Sequence, residues 1–186
     1  MNHASDQDWL LFMAQLPAEP SSARVAVWRR LKSAGATSLL TGAWILPASD
    51  EHAAIFTELA DTARRLGGSA AMLVGRHFDD RTCEEIVGRF QADRAREYGE
   101  FATRSDELLA EIAKESAAGK FSFAELEEIE DDLARLTEWL RKIESRDFFP
   151  GESLTRAAET LAGCREALRL FADRTYREEG ATPSND

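Results

Sequence analysis

The feature that most restricts what this chain can fold into is a heptad seam in its second half. Leu126, Ile129, Leu133, Leu136, Leu140 and Ile143 advance by alternating steps of three and four, the spacing that lines apolar side chains along one stripe of an α-helix. Leu154, Ala157, Leu161, Cys164, Leu168 and Phe171 repeat the pattern after a break at Phe149-Pro150-Gly151. A helix with such a stripe must bury it against other helices. A third helix precedes these two. Ile86, Val87, Phe90, Tyr98, Phe101, Leu108 and Ile112 mark a helix of about 35 residues that starts at Asp79, Asp80 or Thr82 and stops at Gly119. The next start has capping-box form, Ser122 with Glu125, and Phe121 with Leu126 fills the two staple positions. Three long helices joined by short turns predict an antiparallel bundle over residues 79–180, with 181–186 as a disordered tail.

Before residue 79 the signals alternate instead. WLLFMAQL (9–16) is an apolar run that ends at Pro17, the form of a buried strand. Residues 21–34 are helical, with Gly35 as the stop. TSLLTGAWILP reads as two short strands turned at Thr41-Gly42 and ended by Pro47. Ser49 caps a helix with Phe56, Leu59, Ala60, Ala63 and Leu66 on one face, closed by Gly67-Gly68, and SAAMLVGRHF (69–78) is a last strand. The order is βαββαβ. It predicts an α+β fold: a ferredoxin-like four-stranded antiparallel sheet over residues 1–78, covered on one face by both helices, followed by the three-helix antiparallel extension.

Charge divides the chain at the same place. Up to Phe78 seven Lys/Arg face seven Asp/Glu; from Asp79 onward sixteen face twenty-seven, so the whole net charge of −11 belongs to the second half. No stretch approaches the roughly 18 consecutive apolar residues of a membrane span, which predicts a cytoplasmic protein with no membrane partner. Cys83 and Cys164 lie far apart, outside any CxxC or Cys/His cluster, so neither a disulfide framework nor a zinc site is expected.

Against this acidic background Arg24, Arg29, Arg30 and Lys32 crowd into nine residues. Advancing ~100° per residue, Ala23, Val27, Trp28, Leu31 and Ala34 form the apolar face, with Arg29, Arg30 and Lys32 pointing outward. Those three, beside Trp28, are candidates for nucleic-acid contact. Arg24 sits one turn before Val27 and Trp28, on the inward stripe, where a cation needs a partner. Two are available: a carboxylate, from Glu19 or the long helix, or a small oxyanion held by Ser21, Ser22 and Arg24 at the helix start. In FQADRAREYGEF the long helix also interrupts its apolar stripe, where Arg94 and Glu97 fall on the line from Phe90 to Phe101. Glu19, Arg94, Glu97 and Tyr98 are therefore candidates for one polar network; a solvent-facing interruption is the alternative.

Catalytic signatures are sparse. His3, His52 and His77 have no nucleophile beside them, Cys164 occupies a seam position, and there is no Walker loop, no GxGxxG and no Glu-x-x-His pair. No metal, cofactor or enzymatic activity is expected.

The run WLLFMAQLPAEPSSARVAVWRRLKSAGATSLLTGAWILPAS resembles the N-terminal region of the ChrB family of chromate-resistance regulatory proteins. The likeness continues through RFQADRAREY, GKFSFAELEEIEDDLARLTEWLRKIESRDFFP and LFADRTYREEG. It implies a regulatory or accessory protein linked to chromate resistance, with chromate-responsive transcriptional control as the role. Its implied partners are an oxyanion (chromate or sulfate), DNA, and either a homodimer mate or a separate ChrB-type domain, since the family's second domain is absent here. At residue level it carries over only the basic helix, Arg24, Arg29, Arg30 and Lys32. The core is also similar to that of PaaX-type repressors and of CRISPR spacer-acquisition nucleases. Those nucleases end their first strand on a metal-binding aspartate, a place held here by Gln15, Leu16 and Pro17, so a metal-dependent nuclease is the weaker alternative. A third expectation is an interaction module acting through the acidic bundle.

Overall fold

A computed structural model of the protein describes residues 7–19, 21–76 and 78–180. The expected tail at 181–186, and His3 and His77, lie outside the described residues. The elements follow as β1 (Trp9–Gln15), α1 (Ser21–Ser33), β2 (Thr37–Leu40), β3 (Ala43–Pro47), α2 (Asp50–Arg65), β4 (Ser69–Gly75), α3 (Asp80–Ala117), α4 (Phe123–Glu144) and α5 (Glu152–Gly180). The α+β class and the βαββαβ succession are those read from the sequence.

The four strands form one sheet in the order β2-β3-β1-β4, with every neighbouring pair antiparallel. Each crossover skips one strand: β1-α1-β2 passes over β3, and β3-α2-β4 passes over β1. The apolar run at 9–15 therefore becomes a central strand, paired to β3 through Leu10 with Leu46 and to β4 through all seven of its residues. Phe12 lies fully buried with its ring 5.3 Å from that of Phe56 on α2, and full burial of a side chain of that size is worth ~1.5–3 kcal/mol. α1 ends where Gly35 takes φ +81°, a conformation that costs L side chains strain. α2 starts at Ser49, whose hydroxyl accepts from the amide of His52.

The structure forms two compact units whose boundary falls inside α3, between Asp93 and Arg94. Packing explains this boundary. Ile86, Val87 and Phe90 bury into the sheet's core, Phe90 stacking on Trp9 at 6.0 Å. Phe148 and Phe149, between α4 and α5, join the same cluster, their rings 5.8 and 5.5 Å from Phe90.

The second unit holds residues 94–117 of α3 with α4 and α5. Phe101, early in its part of α3, meets Trp139 late in α4, and Phe123 at the start of α4 meets Tyr176 near the end of α5. α4 thus runs antiparallel to both neighbours, as the short connections require. All six seam residues of α4 are buried, and Ser122 caps that helix by accepting from the amide of Glu125. Cys164 is fully buried in the same core.

Candidate functional site

α1 has no acidic residue in its first turn, and burial begins only at Val27, with Leu31 the second buried residue. Ser21, Ser22, Arg24, Val25 and Ala26 are exposed. This corrects the inward placement of Arg24. The helical angle puts that residue near the apolar stripe, but burial also needs an element opposite it, and among the described residues none of the first unit covers the first turns of α1. Arg24 therefore carries no burial penalty and needs no buried carboxylate.

The reading of three outward cations also changes. Lys32 places Nζ 3.0 Å from Asp93 Oδ2, and the Thr37 hydroxyl donates to the same oxygen at 3.2 Å. Both partners are largely shielded, and Lys32 also lies 5.6 Å from the centre of the Trp44 ring. Lys32 is thus a structural cation joining α1 to α3. Arg30 approaches Glu58 of α2 at 3.5 Å, with both side chains about half exposed, a geometry worth little. Arg24 and Arg29 remain, exposed and without an ion-pair partner among the described residues. They flank Trp28, 51% exposed, and Val25, 42% exposed. Arg24 with Trp28, and Val25 with Arg29, are i,i+4 neighbours on the helix surface. The result is a strip of two unpaired guanidiniums around a half-exposed indole. It can pair with anions and stack on flat rings.

On α3, Arg94 Nη2 lies 2.9 Å from Glu97 Oε1, with the Arg94 side chain 4% exposed and that of Glu97 26% exposed. Nε and Nη1 of Arg94 are buried without an acceptor. Tyr98 is buried next to this pair in sequence, whereas Glu19 is exposed in the bend before α1. Of the four residues suggested for a polar network, Arg94 and Glu97 thus stand at ion-pair distance.

Asp93 was not singled out by the sequence. It holds Lys32 and Thr37 from 61 and 56 residues away; its only sequence signal is its place inside the interrupted stripe. Arg89 was missed too: its Nη1 donates to the carbonyls of Ser38 and Leu39 on β2. In the second unit Glu115, almost fully buried, is held by Lys114 and Lys120 at 2.9 and 3.1 Å. Hydrogen bonds from those two lysines keep its carboxyl below the usual carboxylate range.

Neither cysteine is poised for attack. Burial pushes both thiols up, and the charges of Asp79 and Asp80 add to the effect at Cys83. Among the described residues no three His, Cys, Asp or Glu side chains cluster as metal ligands, and no helix is long and apolar enough to cross a membrane. A cavity of about 400 Å³ between α3 and α4 is floored by Leu108, Leu136 and Trp139. The cations on its rim are already engaged, Arg104 with Glu107 and Arg135 with Asp132.

These features define a two-unit α+β protein with a short, exposed basic-aromatic strip on α1. Residues 24–182 match the family described as "Protein ChrB, N-terminal", and the chain belongs to that family. The matched stretch begins at Arg24 and includes Trp28, Arg29, Arg94 and Glu97. The Protein ChrB of Cupriavidus metallidurans (strain CH34) is 32% identical over 149 residues, covering 80% of this chain and 43% of that protein. The chain therefore spans less than half the length of this relative.

Proposed function

We propose that this chain is a non-catalytic regulatory protein of the ChrB type, acting in the cytoplasm in chromate-responsive control of gene expression, and that the exposed strip of α1 contacts DNA. The observation that supports this reading is the pairing state of the four cations. Lys32 and Arg30 are engaged within the fold, while Arg24 and Arg29 stand unpaired on either side of Trp28. Unpaired guanidiniums release counterions when they meet phosphates, and an exposed indole offers a stacking surface. Ser21, Ser22 and Arg24 at the helix start also suit a small oxyanion, chromate or its redox-inert mimic sulfate, as the signal to which the contact responds.

Anisotropy of labelled duplex DNA from upstream of the protein's own gene, measured across a salt series, tests the reading. The Arg24→Ala/Arg29→Ala variant should weaken binding at every salt concentration and flatten the log-log slope by about 2, from the ~0.9 contributed per neutralised phosphate. Arg30→Ala, whose partner is Glu58, should change the slope less. An unchanged slope in the double variant refutes the assignment of the strip, and metal-dependent cleavage of the duplex refutes the non-catalytic reading.

A further inference from the structure

The two edges of the sheet are finished differently. β2 has four residues, its pairing with β3 shifts between Ser38 and Leu40, and Arg89 occupies the carbonyls of Ser38 and Leu39. Such devices close a sheet edge to further strands. Among the described residues β4 has none along its middle. Its seven residues, SAAMLVG, carry no charge and no proline and pair with β1 in unbroken register from Ser69 to Gly75. Met72, Leu73 and Val74 are 37, 51 and 56% exposed.

Backbone parity identifies the groups left open. The Ala14 amide donates to the Gly42 carbonyl, away from β4, so its partner Ala70 turns its own amide and carbonyl to the outer edge. The Arg64 guanidinium, which bonds the Ala70 carbonyl at 3.2 Å, agrees with this direction. By the period of two, Met72 and Val74 also point their backbone groups outward. Arg64 bounds the open stretch at one end and the Arg76–Asp8 ion pair bounds it at the other.

We propose that β4 is a dimerisation edge, on which the β4 strand of a second copy of this chain pairs antiparallel with Leu73 opposite Leu73 on the two-fold axis. In that register Met72 and Val74 of one protomer exchange hydrogen bonds with Val74 and Met72 of the other, which satisfies the four outward backbone groups of these two residues. The same alignment sets the exposed Leu73 side chain on its own copy and each Met72 against a Val74. Two-fold pairing is self-complementary, as an isologous interface requires. Charge favours a second copy as the occupant. The seven residues of β4 carry no charge, so two copies of the strand meet with no like charges opposed along the seam. A charged peptide finds no counter-charge on an uncharged strand.

The full chain, followed by light scattering across a concentration series, should shift from monomer to dimer mass. Val74→Lys should remain monomeric throughout while keeping the wild-type circular dichroism and melting curve, because residue 74 is 56% exposed in the single chain. Leu73→Cys should form a covalent dimer on oxidation, since a non-hydrogen-bonded cross-strand pair brings its Cα atoms to ~4.5 Å, within disulfide reach. Ser69→Cys, beyond the open stretch, should not. A wild-type chain that stays monomeric, a dimer that survives Val74→Lys, or cross-linking at residue 69 with none at 73 would each overturn the proposal.

Discussion

The Arg94–Glu97 pair gives the sharpest test of how this fold handles buried charge. Glu97→Gln keeps the side chain's size and removes its charge, leaving a guanidinium that is 4% exposed without its anion. Breaking a buried pair from one side costs ~3–5 kcal/mol. Glu97 itself is 26% exposed, so water screens part of the effect and the expected loss is about 3 kcal/mol. For a chain of this length that corresponds to a fall of roughly 6–12 °C in melting temperature. Arg94→Met removes the other partner with a different result. The ion pair is lost, but so are two buried N–H-bearing nitrogens, Nε and Nη1, that have no acceptor, and such orphaned groups cost ~1–3 kcal/mol each. The net change should lie within about 1 kcal/mol of wild type. Thermal and urea melts of the two variants measure both quantities. If Arg94→Met destabilises as much as Glu97→Gln, the guanidinium is favourable in its own right and the reasoning fails.

Two further outcomes follow from other parts of the fold. At Gly35 an added Cβ would lie 2.9 Å from Arg146 Cβ at φ +81°, whereas at Gly67, φ +79°, nothing stands within 4 Å. Gly35→Ala should therefore cost about 2–4 kcal/mol from backbone strain and overpacking together, and Gly67→Ala about 1 kcal/mol from strain alone, read by urea denaturation. Glu115, held down by Lys114 and Lys120, has a folded pKa below its ordinary 4.5. Its contribution is therefore present above pH 4.5 and lost as pH falls through the lower folded value. Melting curves of wild type and Glu115→Gln should separate near neutrality and converge in acid, and a constant separation down to acid pH would contradict the assignment.

The helical half of the chain was legible because its signals are local. A heptad seam, a capping box and a stop at Gly119 are satisfied within a turn or two, and each appears where its residues imply. The strands were legible for the same reason, since Pro17, Thr41-Gly42, Pro47 and Gly67-Gly68 punctuate them. The candidate site was less legible. Arg24 has the helical angle of a buried residue, yet burial in α1 begins only at Val27 and leaves it exposed. Lys32 has the angle of a solvent-facing residue, and only the arrival of Asp93, 61 positions later, engages it. The unit boundary inside α3 was not legible for a related reason: the first turns of α3 have ordinary helical periodicity, and their burial with Trp9 and Phe149 is a long-range event.

Sequence alone determined the kind and order of the elements, the division of charge between the halves and the burial of the seams, because periodicity, capping and turn chemistry act over a few residues. The tertiary structure decided which cations are engaged and which stand free, where one unit gives way to the next, and which edge of the sheet is closed. Those outcomes depend on what lies opposite a side chain or a backbone group. That is set by chain reversals tens of residues away, and no local pattern records it.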